Sequence, residues 1–254
     1  MLSELLQLDI YRFFLIFARI GAAMLLLPGI SGPLVTVRVR LLLGLAISLV
    51  LMPALAPHLP AMPTNPAGLF KALACEAMVG FFLGSVISFV MSTLNIAGTI
   101  IGFMTGLTNA FSFDPIAEQQ SALLTGFLTN IGLLAVFSTD LHHLMFRAVA
   151  ESYGLFRPGD TLPLGDFAET LAHLLTQTFR LGLQFAAPLV VFGLVFYTGL
   201  GLLSRLVPQL QVFFVGMPVQ VLIGMMMMAA SLGTVIALFL RQFEDTLLPF
   251  LPPG

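Results

Sequence analysis

The chain has 254 residues, of which 58% are hydrophobic and 9% charged, with a net charge of −2. A soluble domain averages roughly 25% charged residues. Here 10 basic and 12 acidic side chains cannot clothe a soluble protein of this size, so lipid or neighbouring subunits must cover most of the surface. The slight acidity excludes a nucleic-acid binder, and a single cysteine, Cys75, excludes an internal disulfide.

A mean hydropathy of +1.04 points the same way. There are no Trp and only three Tyr, so the usual aromatic anchors at a membrane interface are sparse, while Phe numbers 24. Phe anchors apolar contacts without needing a polar partner, which suits protein–protein packing. The start, Met1-Leu2-Ser3-Glu4, is acidic where a cleaved signal would be basic. The first apolar run is therefore expected to belong to the mature protein.

That run covers residues 10–27 and is closed by Pro28-Gly29. A Gly/Pro loop with Arg38 and Arg40 leads to the second run, 41–56, which is short for a span of about 20 residues. The third, from about 69 to 104, is too long for one straight crossing and must tilt, bend or leave the bilayer. A polar stretch, 105–120, follows, with Asp114-Pro115 at its middle. Run four is 123–137. Residues 140–156 read as an amphipathic helix with His142, His143, Arg147 and Glu151, and Arg157-Pro158-Gly159-Asp160 as a turn. A further helix begins near 164–167 and merges into run five, 181–203. Ser204 to Gln209 is a tight break, and run six, 212–240, is expected to be interrupted at Gly216-Met217-Pro218. No strand alternation persists, so a barrel is excluded and the fold class is an all-α membrane protein of about six apolar helical segments. Arg12, Lys71, Arg147, Arg157, Arg180 and Arg241 against Arg38, Arg40 and Arg205 lean toward both ends being cytoplasmic.

No catalytic constellation emerges, and no catalytic, cofactor or metal residue is assigned. His142 and His143 are adjacent, so they diverge by about 100° on a helix and lack the i, i+4 relation of a metal pair. Cys75 beside Glu76 reads as a packing residue. Arg19 lies inside the first run, where a charge must face the protein interior, a partner or water. Arg12 falls on roughly the same side. Arg19 and Glu76 are the main charges inside runs, with no ion pair evident in the sequence.

Gly98, Gly102 and Gly106 recur at i, i+4, i+8, and Gly80 and Gly84 repeat the spacing earlier in the same run. Either generic helix packing or a seam against a particular subunit explains them. The stretch 105–120 carries Asn109, Asp114 and Pro115 together with apolar Leu107, Phe111, Phe113 and Ile116. It reads as an aqueous loop or as a segment folded into a channel lumen, since lipid tolerates no irregular backbone. Met225 to Met228 is either flexible core filling or a deformable contact surface. Arg205, near Pro208, is either an anchor for unpaired turn carbonyls or a solvated loop charge.

Several of these segments together resemble the FliR/SctT family of export-gate proteins. The stretch from Gly98 to Gly106, then Phe113-Asp114-Pro115 and Gln119-Gln120-Ser121, carries the likeness. It continues through Asp140-Leu141-His142-His143, Ser152, Pro158-Gly159, Gln184 and Ala187-Pro188. It is strongest from Gly201 to Phe213 and at Gly216-Met217-Pro218, and it departs from the family pattern at Gln211 and Gln220.

The resemblance implies one export-gate membrane domain. Its residues 1–180 or so are FliP-like, with a plug loop near 105–120, and about 181–254 form a FliQ-like helical hairpin. It implies a bacterial inner-membrane location in the flagellar basal body. The implied partners are FliP and FliQ homologues, FlhB- and FlhA-like membrane proteins and unfolded export substrates, with no cofactor and no enzymatic activity. On that footing Leu107, Asn109, Phe111, Phe113, Asp114, Pro115 and Ile116 are plug residues, and the five glycines with Arg205 and Pro208 serve packing and assembly. The alternative is a small-molecule permease, which would need paired or relayed charges near mid-membrane.

Overall fold

A computed structural model describes residues 2–32, 35–107, 122–207 and 212–251. Among them there is no strand, and the chain is an all-α membrane protein. The α-helices whose bounds fall among the described residues are, in order, α1 (Leu2–Met24), α2 (Val37–Leu55), α3 (Pro66–Met104), α4 (Ala122–Ser138), α5 (Leu141–Leu155), α6 (Leu164–Leu206) and α7 (Val212–Leu247). Short 3-10 turns follow α2 (Ala56–His58) and α7 (Leu248–Phe250). Four helical stretches, 37–58, 66–104, 164–206 and 216–250, are long and apolar enough to cross a membrane, and the bent α4–α5 pair is a fifth candidate.

Local chemistry sets several of these boundaries. Thr36 caps α2, its hydroxyl accepting from the Val39 N–H at 3.5 Å. The loop before it is held from inside α2. Arg40 donates to the carbonyls of Ile30 (2.9 Å), Gly32 (3.3 Å) and Val35 (3.4 Å), groups that water cannot reach freely beside so apolar a surface. The expected turn at 157–160 is present, closed by an Asp160 N–H to Arg157 carbonyl bond.

The expected interruption at Gly216-Met217-Pro218 is not seen, and α7 runs through Pro218 without ending. One missing N–H costs a helix a single bond, and a long helix keeps all the others; α2 likewise continues through Pro53. Run two reaches spanning length because the helix starts at Val37 and the 3-10 turn extends it to His58.

The chain divides into two compact units, neither continuous in sequence. Unit 1 takes 1–90, 136–174 and 243–254; unit 2 takes 91–135 and 175–242. In unit 1, α1 lies against the first half of α3, and Leu15, Ile16, Ile20 and Ala23 on α1 and Val79, Leu83 and Val86 on α3 are all buried. Phe residues finish this core. Phe82 stacks on Phe167 at 4.0 Å between centroids, and Phe156 meets both rings edge-on. In unit 2 the second half of α3 packs with α4, α6 and α7 around Leu94, Ile101, Leu128, Leu189 and Phe239.

Glycine makes the α1–α3 contact possible. A Cβ on Gly80 would collide with the Arg19 carbonyl oxygen, and one on Gly84 would sit 2.9 Å from the Ala23 carbonyl oxygen and from Leu26 Cβ. Two backbones therefore touch at points one helical turn apart on each helix. Gly80→Ala and Gly84→Ala should each destabilise the chain by about 1–3 kcal/mol, the usual cost of overpacking. Gly154→Ala, whose added carbon meets nothing within 4 Å, should be neutral or slightly stabilising. Steady-state level and protease resistance in isolated membranes would measure the difference.

Candidate functional site: a buried charge hub and the root of the polar segment

The α1–α3 seam carries more than glycine. Glu76, Gly80 and Gly84 succeed one another at i, i+4, i+8 on α3, facing Arg19 and Ala23, which stand at i, i+4 on α1. Arg19 has a relative exposure of 0%. Its Nε donates to Glu76 Oε2 at 2.7 Å and one terminal nitrogen to Glu76 Oε1 at 3.1 Å, a bidentate fork on one carboxylate. That nitrogen also donates to the Phe156 carbonyl at 2.9 Å, and the other donates to Ser152 Oγ at 3.0 Å. The Ser152 hydroxyl in turn donates to the Val149 carbonyl at 2.7 Å. Tyr153 closes the remaining side, its ring centroid 3.7 Å from the guanidinium carbon.

Arg19 and Glu76 thus form an ion pair that is not evident in the sequence. Fifty-seven residues separate them, and only the α1–α3 seam brings them together. Of the options open to Arg19, the fold selects the protein interior. Arg12 does not share the cluster, and its ionic contact is to Asp9 at 3.8 Å.

Unit 2 has a second polar point, at the end of α3. The helix stops at Met104, and Gly106 terminates it with φ +72, the left-handed turn that favours glycine. Gly106 is therefore a helix stop, and it is also a packing position, because a Cβ there would come 2.9 Å from the Gln220 amide carbon. Gln220 on α7 meets this end, its side-chain nitrogen donating to the Met104 carbonyl at 2.8 Å and lying 3.1 Å from the Tyr197 hydroxyl. Gln220 is buried, and Gly224, one turn on, takes the Thr105 side chain against its backbone. The end of α3 that enters the 105–120 stretch is thus held by a hydrogen bond from α7, whose Gln220 also donates to Tyr197 of α6. Nothing in the sequence marks Gln220 for this; an amide among apolar residues is the sole hint.

The other expected site residues fall as follows. Gly98 packs on α4, where a Cβ would come 2.6 Å from Thr125 Cα. Beside it Thr99 pairs with Thr125 (3.3 Å), and Thr129 donates to Asn95 (2.9 Å), polar rungs between two apolar helices. Gly102 is buried. Leu107 is half-buried. Asn109, Phe111, Phe113, Asp114, Pro115, Ile116 and Pro208 lie outside the described residues. Arg205 is exposed in the last turn of α6, where a cation suits the helix dipole. The methionines divide: Met228 is buried, while Met225 and Met226 line an open apolar groove on α7 with Met217, Pro218 and Leu222.

Comparison with known proteins fits these features to one group. The family model described as "Bacterial export proteins, family 1" matches residues 10–246. The chain belongs to this family. It is 36% identical over 239 residues to the flagellar biosynthetic protein FliR of Caulobacter vibrioides, covering 94% of this chain and 95% of that one. The FliR of Escherichia coli K12 is 30% identical over 202 residues, covering 75% and 73%. The Yop proteins translocation protein T of Yersinia pestis is 24% identical over 223 residues, covering 87% and 85%. The chain is therefore a component of flagellar or type III export, and the FliR/SctT resemblance holds across nearly its whole length.

Removing one member of the Arg19–Glu76 pair leaves a buried charge uncompensated, which costs roughly 3–5 kcal/mol. Arg19→Met and Glu76→Met should each sharply lower the amount of folded chain in membranes. The double variant should recover much of the loss, because apolar replacement of a whole buried pair is often neutral. Arg19→Lys should remain defective, since an ammonium cannot reproduce the fork. Thermal aggregation midpoints in detergent would read all four.

Proposed function

We propose that this chain is a structural channel subunit of a type III protein-export gate, assembled with FliP-like and FliQ-like proteins, that conducts unfolded substrates and catalyses no reaction. The observation that carries this reading is the near full-length likeness to flagellar FliR proteins together with a type III translocation protein. Physical features of the chain support it. Helices of 39, 43 and 36 residues measure about 58, 64 and 54 Å at 1.5 Å per residue, roughly twice the 30 Å hydrocarbon core. Large apolar side chains such as Phe179, Val191, Val195, Leu206 and Met226 are exposed on α6 and α7. Parts of those faces extend beyond any bilayer and need protein to cover them.

Within this reading the chain acts in the bacterial inner membrane, at the flagellar basal body, beside FlhA- and FlhB-like proteins. Residues 1–180 or so serve as the FliP-like part and 181–254 as the FliQ-like hairpin. The 105–120 stretch, entered through the latch at Met104 and Gln220, is the plug that closes the lumen. Gly80, Gly84, Gly98 and Gly102 let helices approach closely, and Arg205 meets a neighbouring subunit.

A permease remains the second reading, favoured by one observation, the Arg19–Glu76 pair. Against it, both side chains are 1–3% exposed and every acceptor round Arg19 is structural. A relay charge must exchange partners, and this one is held by a carboxylate, a hydroxyl, a backbone carbonyl and an aromatic ring.

Tagged chain expressed with its chromosomal neighbours should co-purify with FliP- and FliQ-like proteins, identified by mass spectrometry, and the chain alone should aggregate or be degraded. A stable partner-free monomer that takes up small solutes in vesicles would support the permease instead.

The plug has its own test. Deleting Asn109 to Glu118 should leave the complex assembled but make cells leaky to ions, because the packing glycines of α3 lie outside the deletion. An assembled complex with no added leak would refute the plug.

A further inference from the structure

The elbow between α4 and α5 holds a group of side chains that the export reading does not use. The chain bends there by 75° over Thr139 and Asp140. Asp140 has φ +59, a left-handed conformation that aspartate tolerates better than most residues. It stands at the N-cap of α5, where an aspartate ordinarily accepts from the first turn, yet its side chain makes no capping bond. Its carboxylate instead lies 3.7 Å from His143 Nδ1. His142 stacks on Phe137, centroids 4.9 Å apart at 16°, and its ring lies 4.1 Å from that of His143. His142 Nδ1 is buried and has no hydrogen-bond partner among the described residues.

We propose that Asp140, His142 and His143 form a binding site for a divalent transition-metal cation of the zinc class. One ligand atom from each of the three lies within 4.8 Å of the others, and among the described residues no second group of three His, Cys, Asp or Glu meets that condition. Ligands around a tetrahedral zinc at 2.0–2.1 Å stand roughly 3.4 Å apart. Asp140 and His143 are exposed and can close that gap by rotamer adjustment alone. Two imidazoles and one carboxylate suit zinc and its neighbours rather than calcium or magnesium, which prefer all-oxygen shells. A fourth position is left for water.

Sequence spacing argues against the pair, because successive helical residues diverge. Both residues stand in the first turn of α5, yet their rings lie 4.1 Å apart, and the left-handed Asp140 before them places its carboxylate 3.7 Å from His143 Nδ1. The positive end of the α5 dipole works against a cation, and the Asp140 charge offsets it.

The test uses the full-length chain, taken from membranes in mild detergent through an affinity tag that contains no histidine. In membranes, Zn²⁺ should protect His142 and His143 from diethyl pyrocarbonate modification while exposed His173 reacts as before. In detergent, Co²⁺ should bind once per chain, be displaced by Zn²⁺, and lose at least tenfold in affinity in Asp140→Asn and in His142→Gln. Equal modification of His142 and His143 with and without Zn²⁺ would overturn the site. So would Co²⁺ binding that both variants leave unchanged. Because the footprint is read on the unaltered chain, it stands even if a variant fails to fold.

Discussion

A guanidinium cannot be left unpaired in an apolar interior, and unit 1 is arranged around that constraint. Arg19 draws one ligand group from α3, two from the C-terminal end of α5 and an aromatic face from Tyr153. Each contributes only if its helix stands at the right depth and rotation. A hydrophobic core alone tolerates sliding, since one leucine serves nearly as well as the next. A buried bidentate pair does not, because a shift of one turn leaves both charges unpaired. The Gly80 and Gly84 contacts then convert the chosen register into close backbone packing. Specificity of this kind is the best-attested use of a buried ion pair, whose net contribution to stability is small.

The remaining surface poses the opposite problem. Half of the most apolar window of α3 is buried, whereas the windows of the other spans are only 17–22% buried. Apolar residues without covering helices need lipid or protein. Helices near twice the bilayer thickness cannot give every such residue to lipid unless they tilt steeply, and tilt is set by packing against neighbours. Faces this long and apolar must be shared between lipid and covering protein, in proportions that the tilt decides.

Much of this was legible in the sequence. The long third run, the helix that begins near Leu164 and merges into run five, the amphipathic α5 and the turn at Pro158-Gly159 all follow from local pattern. Hydrophobic periodicity, Pro and Gly act over a few residues, so they survive without tertiary knowledge. The Arg19–Glu76 pair was not legible, because its partners lie 57 residues apart and nothing local joins them. The misreading of Pro218 has a different origin. Proline lowers helix propensity, but a helix of 36 residues spreads that loss over many intact bonds. Gly106 carries two demands: its positive φ ends the helix, and Gln220 of α7 packs so closely that a Cβ there would come 2.9 Å from the amide carbon, of which the i+4 spacing hinted only at the packing.

The latch at the end of α3 shows how a small polar contact can govern a larger element. A helix leaves its last carbonyls without intrahelical donors, and in apolar surroundings water cannot supply them. Gln220 answers for Met104 from α7, and Gly224 admits Thr105 beside it. The chain can therefore leave the helix at Gly106 with little loss, and must leave there, since the left-handed turn redirects it. Polar residues follow at once in the sequence, from Asn109 onward. The end of α3 thus combines a left-handed glycine with an amide supplied by a different helix.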